Sequence, residues 1–441
     1  MIRLSRILPV IAVWALLPAI AHATLPIQSW TLPNGARVFF VENRALPMID
    51  VSVDLPAGSG RDTPELSGLA GMSVGLMRLG AGGLKEADIA TSLADVGAQM
   101  SSRFDVDRGG YAVRTLSSER ERERALAVLA EVLQSPDFPA DVLEREKARL
   151  AAVLREAETK PEALAERAFQ TAVYGGHPYG LRGSGELVTL PKLTAADLRA
   201  HHQRWFRSDW AVVAIMGDIS REGADAVARR LTDRLPRANG AVPALPAVPA
   251  LAAPVRRDVD HPASQSHILV GQPGIGRGDP DYFPLFVGNY VLGGGGFSSR
   301  MVDEVRQKRG LAYSAYSYFS PMGAGGVFQI GLQTRRDQAA QALEVVRDTV
   351  KRFVEEGPTE DELAAAKLNL VGGFPLRIDS NRKIHDYLAT IGIYGLSLDY
   401  LDRFVERIEA VTVAQVRDAF RRRVDPGRMV TVVVGGAPAT K

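Results

Sequence analysis

Residues 49–55, IDVSVDL, alternate apolar and polar side chains, the two-residue period of a strand with one face in a core. Just before them Asn34-Gly35, followed by RVFFV at 37–41, reads as a tight turn feeding another strand. The period then lengthens. Leu126, Leu129 and Leu133 recur on one helical face behind Ser118 and Glu121, which are spaced as a capping box, and the charged run 119–124 becomes that helix's solvated first turns. Strand and helix patterns mixed in this way predict an α+β fold.

The chain repeats itself. LTAADLR at 193–199 and the apolar VVAIMG at 212–217 return as VTVAQVR at 411–417 and VTVVVG at 430–435, both at an offset of 218 residues. Pro139, Leu143, Lys147 and Leu150 have counterparts in Pro358, Leu363, Lys367 and Leu370, and Ala125-Leu126 in Ala342-Leu343, at offsets of 217 to 220. Matches in order near one diagonal identify an internal duplication. Between the copies, residues 236–254 carry five prolines, three of them at every third position, and neither period, so they read as an extended linker. The expected layout is two homologous α+β domains, 24–235 and 258–441, joined by a Pro/Ala-rich linker at 236–257 and facing each other across a cleft, the default place for a ligand.

The first 23 residues stand apart: Arg3 and Arg6 precede an apolar run from Ile7 to Ile20, and Ala21-His22-Ala23 has the small-x-small pattern that a signal peptidase cuts. The run is short for a membrane span and contains Pro9 and Pro18, so the expectation is a cleaved signal, an exported periplasmic chain and no lasting membrane anchor. Cleavage takes two of the 53 basic residues and none of the 51 acidic ones, leaving no formal net charge and nothing that calls for nucleic acid. Cysteine is absent, which excludes disulfides and thiolate metal sites.

Candidate chemistry is sparse. Gly71-Met72-Ser73-Val74-Gly75 fits the G-x-S-x-G of a serine hydrolase, but the residues before it do not form the buried strand that such an elbow needs. They open a helix instead, with Met72, Leu76 and Leu79 on one side. None of the seven histidines (22, 177, 201, 202, 261, 267, 385) pairs at i, i+4, so no self-contained zinc helix is present. The Gly293–Gly296 run lacks the Lys-Ser/Thr of a phosphate loop and serves either a close backbone approach or a hinge before the helix holding Met301 and Val305.

Taken in order, Leu32-Pro33-Asn34-Gly35, Ala57-Gly58-Ser59, Gly68-Leu69-Ala70, His177-Pro178-Tyr179-Gly180, Gly217-Asp218, Leu292-Gly293-Gly294 with Phe297-Ser298-Ser299-Arg300, and Arg309-Gly310-Leu311-Ala312-Tyr313 resemble the insulinase-like (pitrilysin) peptidase family. That family includes the mitochondrial processing peptidase and the core proteins of the respiratory cytochrome complex. In its active members Gly-Leu-Ala runs into His-x-x-Glu-His, whose histidines hold zinc while the glutamate activates water. Here those places hold Gly71, Val74 and Gly75, and the serine-hydrolase pattern arises because glycines stand where the histidines would be. The resemblance makes Glu156 the counterpart of the family's third zinc ligand, to within a couple of positions.

The resemblance also implies that Arg306 and Tyr313 match the arginine and tyrosine with which active members hydrogen-bond substrate near the scissile bond. Read without it, Arg306 is a solvated helix-end charge and Tyr313 packs in a strand with Tyr316 and Tyr318. The expectation is a metal-free, exported subunit that binds extended peptide and lends Arg306 and Tyr313 to a zinc-bearing partner subunit of the same family. The rival readings are an assembly scaffold of the same fold and a serine hydrolase using Ser73.

Overall fold

A computed structural model describes residues 26–435; the segment expected to be a signal peptide, 1–23, lies outside the described residues. The Asn34-Gly35 turn is present, with Gly35 at φ +93° and the Asn34 Oδ1 accepting the Ala36 N–H, and it joins β1 (Gln28–Thr31) to β2 (Arg37–Glu42). The first half continues with β3 (Met48–Leu55), β4 (Gln99–Phe104), β5 (Gly109–Leu116) and β6 (Val212–Gly217). Its helices include α1 (Leu69–Met77), α2 (Glu119–Gln134), α3 (Ala140–Ala157), α4 (Pro161–Tyr174) and α5 (Ala195–Trp205).

The second half repeats the plan with β7 (Val255–Val259), β8 (Gln265–Pro273), β9 (Ala312–Ser320), β10 (Val327–Arg335) and β11 (Val430–Val434). Its corresponding helices are α6 (Tyr282–Asn289), α7 (Ala339–Glu356), α8 (Glu360–Gly372), α9 (Asn381–Tyr394) and α10 (Val413–Arg423). The sheets run β1-β2-β6-β3-β5-β4 and β7-β11-β8-β10-β9, so apart from the added edge β1 the strand order is the same. The directions agree too: β2 lies parallel to β6 as β7 does to β11, and the other pairs are antiparallel. The 218-residue offset is thus a repeated supersecondary unit.

Each half lends a helix to the other. The alternation in β3 sends Ile49, Val51, Val53 and Leu55 into the first half's own core, while Asp50, Ser52 and Asp54 face the opposite side. Helix α9 of the second half covers that opposite face, packing Ile384, Leu388 and Ile391 with Phe39, Val212 and Ala214. Helix α4 of the first half covers β8 and β11 in return, with Phe169 fully buried against Leu269, Val430 and Val432. Close approach is built in: a β-carbon on Gly392 would stand 2.8 Å from the Phe39 ring, and one on Gly271 2.8 Å from the Phe169 ring.

Polar groups tie the same seam. The fully buried Asp54 carboxylate accepts from Arg103 at 2.8 Å, and Arg103 bridges on to Asp386 of α9 at 2.7 Å. Asp107 accepts the Tyr179 phenol, the Tyr394 phenol at 2.7 Å and the Gly323 N–H at 2.9 Å, so one carboxylate gathers donors from both halves. A buried charge pair of this kind is costly to break from one side.

Two local expectations are corrected. The linker expected at 236–257 forms no helix or strand through residue 254, but Val255, Arg256 and Arg257 already belong to β7. Nor is the segment free, since Arg61 donates to the Pro243 carbonyl at 2.6 Å, Trp210 to that of Gly240 at 2.7 Å, and His177 bonds that of Pro246 at 2.9 Å. The Ser118 capping box is also altered: the hydroxyl donates to the Glu121 carboxylate and does not cap a backbone N–H, leaving the helix start to its acidic first turn. No helix among the described residues is long and apolar enough to cross a membrane.

Because Phe169 fills a pocket on the other half's sheet, Phe169→Ala is expected to cost about 3–5 kcal/mol of stability. Urea unfolding monitored by circular dichroism checks this; a loss below about 1 kcal/mol would show that the halves are not coupled through α4.

Candidate functional site

Helix α1 carries the three places where the resemblance puts a zinc motif. Its start is fixed by Asp62, which accepts the N–H groups of Gly68 and Ala70 at 2.9 Å each. Burial pushes the Asp62 carboxyl up to about 7, against the pull of the amides of Ala70, Gly68 and Leu69. Most of the helix is buried. Gly71 and Gly75 lie one turn apart on its partly exposed side, and Val74 beside them is packed at 1% exposure, its carbonyl accepting the Tyr111 phenol.

The two glycines differ in what surrounds them. A β-carbon at Gly75 would meet nothing within 4 Å, whereas one at Gly71 would stand 2.2 Å from the Gly183 carbonyl oxygen. That oxygen is held in place. Ser67 Oγ donates to the Arg182 carbonyl at 3.1 Å, Thr189 Oγ1 to that of Ser67 at 2.7 Å, and Arg167 pairs with Glu186 at 2.7 Å. Gly68, at φ +94°, lies so close to the same loop that a β-carbon there would be 2.5 Å from the Gly185 Cα. The loop after His177-Pro178-Tyr179-Gly180 therefore packs onto α1 where a first histidine would have to stand.

Glu156 sits near the end of α3, mostly exposed, and forms a 2.6 Å ion pair with Lys160, which holds its carboxyl below the usual range. Among the described residues no group of three His, Asp or Glu side chains comes together to hold a metal ion. The donors at Gly71, Val74 and Gly75 are absent, so these residues do not fit the zinc that active relatives bind. Ser73 offers no nucleophile either. It is fully buried in mid-helix and donates its proton to the Leu69 carbonyl at 2.7 Å.

In the second half Arg306 and Tyr313 lie side by side. Arg306 lies in a widened π-helical turn, Val302–Gln307, in which the Lys308 N–H reaches back to Asp303 at 2.9 Å. Such turns recur at functional sites. The Arg306 guanidinium lies 4.6 Å from the Tyr313 ring centroid and 4.8 Å from that of Phe297. Tyr313 is 82% exposed and Phe297 70%. The Arg306 guanidinium has no ion pair or hydrogen bond within the described residues, so its N–H edges are unspent. Tyr313 does not pack with its strand neighbours, while Tyr316 and Tyr318 stack on each other at 6.1 Å.

The glycine run explains how Phe297 gets there. A β-carbon on Gly293 would stand 2.5 Å from the Ser317 amide nitrogen, so the chain crosses β9 at closest approach, and Gly296, at φ +59°, turns it outward into Phe297. Asn289 fixes the crossing by donating to the Ser317 carbonyl at 2.9 Å and accepting the Ser317 hydroxyl at 2.7 Å. Phe297 escaped the sequence reading although its motif was in view, because the spacing of 297 and 306 carries no helical or strand period. Beside Tyr313 opens a cavity of about 290 Å³ that Glu162 and Glu166 of α4 also line.

The insulinase (peptidase family M16) profile matches residues 37–184, and that of the peptidase M16 inactive domain matches 192–370. A solved structure described as a peptidase M16 inactive domain from Pseudomonas fluorescens superposes with a TM-score of 0.90 at 36% identity, covering 95% of this chain and 99% of that one. An uncharacterized zinc protease of Mycobacterium tuberculosis is 28% identical over 95% of both chains. A non-peptidase homolog from Helicobacter pylori is 27% identical over 92% of this chain and 93% of its own. The chain belongs to the insulinase (M16) peptidase family, and the proteins it is similar to include ones described as an inactive domain and as a non-peptidase homolog.

Restoring the motif alone is not expected to restore the metal. In Gly71→His/Val74→Glu/Gly75→His, the first imidazole collides with the Gly183 carbonyl, so zinc should not be retained through gel filtration when measured by atomic emission. One tightly held zinc per chain in that variant would show that the loop yields.

Proposed function

We propose that this protein is an exported, non-catalytic subunit that binds an extended peptide and presents Arg306 and Tyr313 to the active site of a zinc-bearing relative. The observation that carries the reading is the contrast between the halves: the metal helix is closed by Gly183, while Tyr313 is exposed and the half-buried Arg306 beside it keeps unspent donors. An arginine fork and a phenol can both donate to peptide carbonyl oxygens, including one that gains negative charge during attack by a partner's hydroxide. Edge strand β9, which starts beside Tyr313, offers main-chain groups to an extended chain, so recognition would be loose in sequence. The zinc belongs to the partner, and export follows from the pattern of Arg3, Arg6 and the apolar run after them.

The test mixes this protein with a zinc-bearing relative from the same organism and follows cleavage of an unstructured peptide. Each chain alone should be nearly inert and the mixture active. Arg306→Ala with Tyr313→Phe should lower kcat/KM roughly 100- to 1000-fold without preventing association. Undiminished cleavage by the double variant would favour the scaffold reading, in which the fold matters and the pair does not.

A further inference from the structure

A second cavity lies away from both regions described above. It measures about 570 Å³, within the range that holds a ligand of drug-like size, and opens between the start of α6, the loop before it and the segment after α9. Tyr282, Phe283, Tyr400 and Val411 supply apolar and aromatic walls, and Arg277 and Arg407 supply positive charge.

What distinguishes these two arginines is the company they lack. Their neighbours have carboxylates: Arg423 takes Asp279 at 3.0 Å and Asp281 at 2.7 Å, and Arg422 takes Asp281 at 2.7 Å. Asp279 also lines the cavity, but its carboxylate is engaged by Arg423 and by the Asp281 N–H, so it pairs with neither cavity arginine. The Arg277 and Arg407 guanidiniums have neither ion pair nor hydrogen bond among the described residues, and they lie over the rings of Tyr394 and Phe283 at 5.3 and 5.5 Å. The Nε of Arg277 is buried without a partner. A buried donor left unmatched is unfavourable in a folded protein, and the side chain that carries it lines the cavity.

We propose that this cavity is a binding site for an organic carboxylate with an aromatic body. The carboxylate would receive charge-assisted hydrogen bonds from Arg277, with Arg407 adding to the field at the mouth, and the ring would pack among Tyr282, Phe283 and Tyr400. A free aromatic acid and the C-terminus of a peptide ending in an aromatic residue share this chemistry. The site is independent of Arg306 and Tyr313, so it stands whether or not a partner peptidase exists.

Isothermal titration with N-acetylphenylalanine against its neutral amide tests the carboxylate, and N-acetyl-Gly-Gly-Phe with a free or amidated C-terminus tests the peptide source. The acid should bind at least about tenfold more tightly than the amide in one or both series, a difference of about 1.4 kcal/mol. Tighter binding of the tripeptide acid assigns the site to peptide termini; tighter binding of the single residue assigns it to free acids. Arg277→Gln should abolish the preference and Arg407→Gln reduce it, with melting curves confirming that each variant is folded. Equal affinity for acid and amide, no binding of either, or a preference that survives both substitutions would overturn the proposal.

Discussion

The contact on which the rest turns is the approach of the Gly183 carbonyl to Gly71. Only a residue without a side chain leaves room for that oxygen, since a β-carbon would stand 2.2 Å away. The absence of histidine is therefore more than a missing ligand: the space has been filled by the protein's own backbone. Ser67, Thr189, Arg167 and Glu186 hold the loop there, so the closure is part of the packing of the first half. A helix that serves zinc in active relatives here serves as a core element, with Met72, Val74 and Leu76 among its buried side chains.

Duplication makes the contrast between the halves interpretable. The two sheets share one strand order, and helices α4 and α9, equivalent by descent, exchange places across the seam. Neither half buries its sheet without the other, so loss of metal chemistry in one need not loosen the whole. The second half spends its glycines differently. Gly293 and Gly296 bring Phe297 to Arg306, and the guanidinium contacts two exposed rings without an acid to neutralise it. Exposed aromatic rings and an unpaired arginine bring little stability to a folded chain, and the proposed binding role is what would give them a use.

Much of this was legible beforehand, for physical reasons that can be named. Alternation in 49–55 and the Asn34-Gly35 turn reflect strand geometry directly, and the 218-residue offset survives because both copies bury the same positions. Amphipathic periodicity reveals that α4 and α9 each bury a face, but it cannot say which sheet receives it, so the exchange was invisible. The Phe297–Arg306 stack and the Gly183 closure join residues far apart in the chain through tertiary contact, and neither leaves a period. The linker boundary was misjudged because proline content ends at 254 while the polar Arg256 and Arg257 look unlike strand residues; as part of the edge strand β7 their side chains are exposed.

The central claim is that this chain cannot make its own metal-bound hydroxide. The direct measurement is zinc content of the native protein, purified from zinc-supplemented medium and dialysed without chelator, alongside peptide cleavage by the same sample. The account predicts substoichiometric zinc and no cleavage. Retention of one zinc per chain, with cleavage that a chelator abolishes and added zinc restores, would contradict it.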